Sequence, residues 1–206
     1  MRSKYLSLFL KILVWLGIAL ALGFVALVIV RMVQLKEEER TAAEVERIHS
    51  TKLTVDDVMG KNLPPDPGAD ADKTIAGIDA NTNGIRDDVE LAIFKAYPDS
   101  AKTRAVLLQY ALALQMEVTQ PIVNEGTVTE VVREQSRAYS CVGEILSRED
   151  MNKYIEEGRI LRSFVSERQR DTSERKKVRK DFIEKVGAYS ESENKVCDID
   201  ISALPN

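Results

Sequence analysis

The stretch from residue 77 to residue 90 reads GIDANTNGIRDDVE and carries oxygen-bearing side chains at regular intervals. Counted as a loop of twelve positions from Asp79 to Glu90, it has a carboxylate or an amide at positions 1, 3, 5, 9 and 12 and glycine at position 6. Calcium takes about six to eight hard oxygen ligands, and a loop curled around the ion points alternate side chains at it. The sequence therefore predicts a Ca²⁺ site. The predicted ligands are Asp79, Asn81, Asn83, the carbonyl group of Ile85, Asp87 and Glu90.

A simpler interpretation treats this stretch as a turn followed by a helix. The NTNG segment is typical of a turn, and Asp87 and Asp88 would lie where a helix dipole favours anions. A turn requires neither an acid at position 1 nor a glutamate at position 12, so the full pattern favours cation binding. With three anionic ligands, one of them offset by Arg86, we expect weak binding, with a dissociation constant of about 10⁻⁴ to 10⁻³ M.

The departures from a standard EF-hand narrow the class of loop. The aliphatic residue is at position 7 rather than 8, and no long helix precedes Asp79. The loop resembles the D-x-D-x-D-G-[IV]-x-D-x-x-[ED] loops of bacterial thrombospondin type-3-like repeats and, more distantly, dockerin loops. The longer stretch TIAGIDANTNGIRDDVELAI resembles exported bacterial proteins that carry one such loop ahead of a helical domain. This resemblance covers about residues 63 to 97, and it implies a calcium loop without implying an activity.

Residues 12–30 read ILVWLGIALALGFVALVIV, without a charge, between Lys11 and Arg31. At about 1.5 Å per residue this run nearly spans a hydrocarbon core of about 30 Å. The alternative is a cleaved signal peptide, but its apolar region is usually about 7 to 15 residues and ends at small residues. We therefore expect a basic tail over residues 1–11 and a transmembrane helix in the lipid bilayer. Small residues spaced by four in this helix would permit a homo-oligomer. They are Gly17, Ala19, Ala21 and Gly23.

The orientation of this helix does not follow from its flanks, because lysine and arginine are nearly balanced on its two sides. Two other features favour a periplasmic domain on a bacterial inner membrane. One is the calcium loop. The other is a pair of cysteines, Cys141 and Cys197, which an oxidising compartment would join, although two unpaired thiols are the alternative.

The rest of the chain has the apolar periodicity of helices and almost no period-two alternation, which predicts an all-α fold. We expect a helical stalk over residues 31–50, a Pro/Gly/Asp linker over 51–76, the calcium loop over 77–90 and a small helical bundle over 87–206. The bundle helix that ends near Thr119 is predicted to be central. Another helix follows Ser147, and the last begins near Thr172 and includes Tyr189. The predicted apolar face of the helix after Ser147 consists of Met151, Tyr154, Ile155, Leu161, Phe164 and Val165.

Charge and motif content limit the classes of function. Past residue 30 the chain has 26 basic residues, the total of 29 less three, against 33 acidic residues, which argues against nucleic-acid binding. The single histidine, His49, accompanies none of the common catalytic motifs. A module that binds another envelope protein, in an immunity, inhibitor or assembly role, is favoured. The alternatives are an envelope hydrolase that acts through carboxylates and a purely structural subunit.

One segment stands out as a candidate surface for an acidic partner or lipid headgroups. Between residues 168 and 180 there are seven basic and two acidic side chains on an otherwise acidic domain. The predicted partner-binding residues are Arg168, Arg170, Arg175, Lys176, Lys177, Arg179 and Lys180.

Overall fold

The computed structural model describes residues 2–188 and 195–205, and within them it contains seven α-helices and no β-strand. The all-α prediction is therefore confirmed. The helices are α1 (Arg2–Ser50), α2 (Val55–Val58), α3 (Asp87–Ala96), α4 (Ala101–Thr119), α5 (Glu125–Val142), α6 (Met151–Gln169) and α7 (Ser173–Ile183). Short 3₁₀ helices cover Gly68–Asp72, Gly143–Ile145 and Ile201–Ala203.

The chain divides into two compact units, Met1–Ala43 and Glu44–Asn206. All described residues of the first unit belong to α1, and the described apolar side chains are exposed, as Trp15 (69 %) and Leu20 (71 %) show. This helix is long and apolar enough to cross a membrane. The predicted apolar N-terminal helix is thereby confirmed.

The second unit begins earlier than the sequence predicted. Residues 31–50 were expected to form a stalk, but the unit starts at Glu44, and Ile48 is fully buried in its core. A buried isoleucine removes apolar surface from water and stabilises the fold by about 1.5–3 kcal/mol. The last turns of α1 are therefore part of the domain.

Helix α4 is the centre of this domain. Every residue from Arg104 to Glu117 is buried, which is expected of a helix that carries Ala, Val and Leu on all sides. Ser100 caps its first turn by accepting a hydrogen bond from the Thr103 amide. The α2, α3, α5, α6 and α7 helices contact it, so the predicted central helix is confirmed.

Helix α6 differs from its prediction at its start and on its apolar face. Asp150, rather than Ser147, is the N-cap, and it accepts from the amides of Asn152 and Lys153. Met151 and Ile155 were predicted to be buried but are 57 % and 58 % exposed. Only the later part of the predicted face, around Val165, reaches the core.

The segment 51–76 was predicted to be a linker, yet it belongs to the folded unit. Thr54 and Asp57 form a capping box at α2, and Val58 is fully buried. Further along, the Arg175 guanidinium donates to the carbonyls of Ala71, Thr74 and Ile75. Proline and glycine interrupt helices here without loosening the segment from the domain.

The C-terminal segment is fixed to the domain by a disulfide bond. Cys141 on α5 is joined to Cys197, as predicted. The neighbouring Asp198 accepts from the Leu53 amide and from Arg137. Helix α7 begins after Thr172 as predicted and ends at Ile183, and Tyr189 lies outside the described residues.

Candidate metal centre

The loop of residues 77–90 connects the segment after the first 3₁₀ helix to α3. The Asp87 amide donates to the Ile78 carbonyl at 2.8 Å and closes the loop at its base. Gly84 has φ = +84° and lies against Leu112 of α4, so the turn at position 6 needs a residue without a side chain. The Gln115 side chain of α4 donates to the Ala76 carbonyl at 2.7 Å. Helix α4 therefore contacts the turn at Gly84 and also holds Ala76, which precedes the loop.

The structure brings the predicted ligand side chains together around Glu90, which is 1 % exposed. Its two carboxylate oxygens accept from the side-chain amides of Asn83 (3.0 Å) and Asn81 (3.1 Å). Asp79 accepts from the Asn83 and Gly84 amides at 3.1 and 2.8 Å. Residues at positions 1, 3, 5 and 12 of the loop therefore converge in space.

Asp87 and Ile85 occupy the remaining predicted positions. Asp87 is fully buried, and its carboxylate accepts from the Ala80 amide at 3.0 Å. The side chain of Ile85 is fully buried, and its amide donates to Asn83 Oδ1 at 2.9 Å. The role of the Ile85 carbonyl as a ligand stays a prediction. The buried side chain of Ile85 anchors the middle of the loop in the hydrophobic core, and this fixes the position of the neighbouring polar residues.

Burial leaves the carboxylates of this loop in an environment that disfavours negative charge. Desolvation raises the pKa of Glu90 to about 7, against the opposing effect of the hydrogen bonds from Asn81 and Asn83. The pKa of Asp87 is also raised, first by desolvation and then by the charges of Asp79 and Asp88, although the Ala80 amide opposes the shift. A bound cation would offset both effects, because it stabilises the ionised forms.

The donor chemistry of the loop fits a hard cation. Within the described residues, no group of three or more His, Cys, Asp or Glu side chains is arranged to hold a metal. The loop differs from such a cluster because two of its predicted side-chain ligands are asparagine amides. Carboxylate, amide and carbonyl oxygens without nitrogen or sulfur are the donors that calcium and magnesium prefer.

Thr82, at position 4 of the loop, has φ = +57°. A β-branched residue in the left-handed region is strained by about 1–3 kcal/mol. Among the described residues it is the only non-glycine with positive φ. Such strain persists where surrounding contacts fix the backbone. Here Asp79 and Asn81 accept from the Asn83 amide, and Asn83 accepts from the Ile85 amide, so the backbone that follows Thr82 is fixed.

Arg86 has a role that the sequence analysis missed. We expected its charge to offset a ligand carboxylate. Instead its guanidinium, in a side chain 1 % exposed, donates to Asp88 (2.6 and 2.8 Å), to Asp171 (3.0 Å) and to the Arg168 carbonyl (2.7 Å). Two carboxylates outside the ligand set compensate the charge of Arg86. The expectation that Arg86 offsets a ligand carboxylate is therefore wrong. Three charged residues in succession, as in IRDD, do not indicate that Arg86 is buried.

The predicted basic surface is smaller in the structure than in the sequence. Arg175 is 3 % exposed and pairs with Asp72 and Asp171, so it faces the interior. Arg170 and Arg179 both pair with the buried carboxylate of Glu117. The Arg168 guanidinium stacks on Phe164 at 3.7 Å. The residues left on the exposed surface are Lys176, Lys177 and Lys180.

The fold and the loop together define a class of protein: an α-helical, disulfide-bonded domain that follows an apolar helix able to span a membrane. Comparison with models of known protein families, with curated proteins and with solved structures found no match.

Proposed function

We propose that this protein is a membrane-anchored, calcium-binding helical module that binds another protein of the bacterial envelope. The ion is held by the loop from Asp79 to Glu90. The domain lies on the periplasmic side of the inner membrane. An immunity, inhibitor or assembly role would use the same design, since each requires a folded domain held near the membrane and presented to a partner.

The observation that carries the proposal is the position of Glu90. This carboxylate is 1 % exposed, accepts from two asparagine amides and lies near the charges of Asp57 and Asp87, and no lysine or arginine among the described residues forms an ion pair with it. A buried carboxylate is stabilised best by a cation. Asp79, Asn81, Asn83, Asp87 and the Ile85 carbonyl supply the other oxygen ligands at the spacing that calcium requires.

The contacts of the loop support a structural rather than a chemical role for the ion. Asn81 donates to the carbonyl of Asn62, in the segment that leads into the loop, and Glu90 belongs to the first turn of α3. A cation held by both residues would join that segment to α3. Binding would therefore stiffen the domain for presentation to a partner.

The disulfide bond and the apolar helix support the location. A disulfide persists in the periplasm and is rare in the cytosol, and Cys141 is bonded to Cys197. A reporter fused after Asn206 tests this orientation. A reporter that is active only outside the cytosol should be active at that position, and activity of a cytosol-only reporter would overturn the assignment.

Calcium binding is tested by unfolding the full chain in detergent micelles with EDTA or with about 10 mM calcium. A ligand that binds only the native state stabilises by RT ln(1 + [L]/Kd), which is about 1.4 kcal/mol for a Kd of about 1 mM. Asp79→Asn and Glu90→Gln should abolish the calcium-dependent shift. Asp99→Asn, an exposed acid outside the loop, is the matched control and should retain it. An unchanged wild-type transition would show that the loop is only a turn.

A further inference from the structure

An open cavity of about 390 Å³ lies on the surface where α5 and α6 meet. Its lining comprises Tyr139, Tyr154, Ile155, Arg159, Arg162, Ser163 and Ser166. None of these side chains is acidic, although the whole chain has a net charge of −4. The cavity therefore combines aromatic and aliphatic walls with a local excess of positive charge.

Arg162 is held in place inside this cavity. Its guanidinium stacks on the Tyr139 ring at 3.7 Å, and its Nε donates to the Tyr139 carbonyl at 3.2 Å. Gly158 leaves the space for this arrangement, because a Cβ atom there would lie 2.8 Å from Arg162 Nη1. In the part of the chain that the structure describes, Arg162 has no ion pair, whereas Arg159 pairs with Glu156. A fixed guanidinium without a carboxylate partner is prepared to bind one from outside.

The walls beside Arg162 are apolar and exposed. Tyr139 is 52 % exposed and Ile155 is 58 % exposed. Met151, one helical turn before Ile155 and outside the cavity lining, is 57 % exposed. Tyrosine and arginine are among the side chains enriched at the energetic centres of protein interfaces, which lie in well-packed, desolvated pockets. A lipid headgroup would use the charge of this site but would leave its apolar walls uncovered.

We propose that this groove between α5 and α6 binds an acidic segment of a partner protein. In this arrangement a partner carboxylate accepts from Arg162, and an adjacent apolar side chain of the partner covers Tyr139 and Ile155. The inference rests on the proposed function insofar as it names the surface through which the module meets its partner. Charge complementarity favours an acidic occupant, because the groove contains the unpaired guanidinium of Arg162 and no acidic side chain.

The probe is a displayed library of random peptides, selected against the full chain in detergent micelles. The enriched peptides should share an aspartate or a glutamate next to an apolar residue. Replacement of that acid by its amide should weaken binding at least about tenfold. Arg162→Gln should weaken binding of the acidic peptide by a similar factor and should not weaken binding of the amide peptide further.

Two further variants separate a binding defect from a folding defect. Ile155→Glu changes an exposed side chain and places a negative charge in the groove, so it should repel the acidic peptide without altering the unfolding transition. Lys153→Gln removes a positive charge from the exposed side of the same helix and should bind the peptide as the wild type does. The calcium-dependent unfolding shift of the same preparations reports on the proposed function independently of peptide binding.

The proposal is overturned if the selected peptides lack an acidic residue, or if Arg162→Gln and Ile155→Glu bind them as tightly as the wild type. It is also overturned if the groove variants abolish binding to vesicles of anionic phospholipid while no peptide binds, which would assign the groove to lipid. Loss of a wild-type dimer in both variants, without peptide binding, would instead assign it to a second copy of the chain.

Discussion

Arg175 donates a hydrogen bond to Asp72, 2.5 Å away and 103 residues earlier in the chain. The same guanidinium group also donates to Asp171 and to three backbone carbonyls between residues 71 and 75. One buried side chain thus holds the segment ahead of the calcium loop against α7. The basic residues between 168 and 180 predict instead an exposed partner surface that includes this arginine.

Arg175→Met should destabilise the domain by about 3 kcal/mol. The substitution leaves several hydrogen-bond acceptors without their donor and leaves the charge of Asp171 with one fewer partner. Denaturant titration of the full chain in micelles measures the loss. The adjacent Lys176→Met is the control, because Lys176 is exposed and should change stability by less than about 0.5 kcal/mol. Equal effects of the two substitutions would contradict the structural role of Arg175.

Gly84→Ala should cost more stability than Gly68→Ala, although both glycines have positive φ, +84° and +53°. The left-handed backbone alone costs an alanine about 1–2 kcal/mol. At Gly84 the added Cβ would also lie 2.7 Å from Leu112 Cδ1, whereas at Gly68 it would meet nothing within 4 Å. Overpacking of this kind adds about 1–3 kcal/mol.

Comparison of the two unfolding free energies in EDTA checks this prediction without calcium binding as a variable. If both substitutions lower the free energy of unfolding equally, Gly84 is required only for its φ angle. The contact with Leu112 then relaxes without a loss of stability.

Removal of the disulfide by Cys141→Ala together with Cys197→Ala should lower the free energy of unfolding by about 4 kcal/mol. The two residues are 56 positions apart, and the bond restricts an unfolded loop of that length. Unfolding of the variant should be compared with that of the oxidised wild type. The wild type in a reducing agent serves as the second control and should lose a comparable amount.

The contribution of Asp171 should depend on pH. Burial raises the pKa of this carboxyl, but hydrogen bonds and charge from Arg175 and Arg86 outweigh that effect and lower it below the ordinary value of 3.8. Its stabilisation is therefore present above pH 3.8 and is lost as the pH falls through the lowered folded-state pKa. The stability difference between wild type and Asp171→Asn should shrink over that acidic range, as measured by denaturant titration at several pH values.

Asp181→Asn, at an exposed position of α7, is the control for that series. The free energy of unfolding of this variant should differ little from that of the wild type at every pH. A wild-type advantage over Asp171→Asn that stays constant down to the acid limit would contradict the stated coupling to Arg86 and Arg175.

Local patterns predicted much of this fold. The central position of α4 followed from its apolar residues at helical spacing, and the Cys141–Cys197 bond followed from the presence of two cysteines in the chain. The last helix also begins after Thr172, as predicted. These features depend on neighbouring residues or on composition, so the sequence alone carries them.

Features that depend on distant contacts were not predictable in the same way. The burial of Arg86 and Arg175 requires acceptors 85 and 103 residues away. For the loop, spacing identified the residues that meet around Glu90. The ion itself stays a prediction, because hydrogen bonds within the loop already satisfy many of the same oxygens.

Asp198 gives the domain a defined path for mechanical load. On the N-terminal side of Leu53, His49 pairs with Glu130 and Lys52 donates to Glu134, both on α5. The Leu53 amide donates to Asp198, and Asp198 in turn accepts from Arg137 on α5. The next residue back, Cys197, is bonded covalently to the same helix. Tension applied at the N-terminal edge is thus shared with a cross-linked element near the opposite end of the sequence. Detachment of the chain at Leu53 therefore requires the loss of its hydrogen bond to Asp198, which lies in a segment cross-linked to α5.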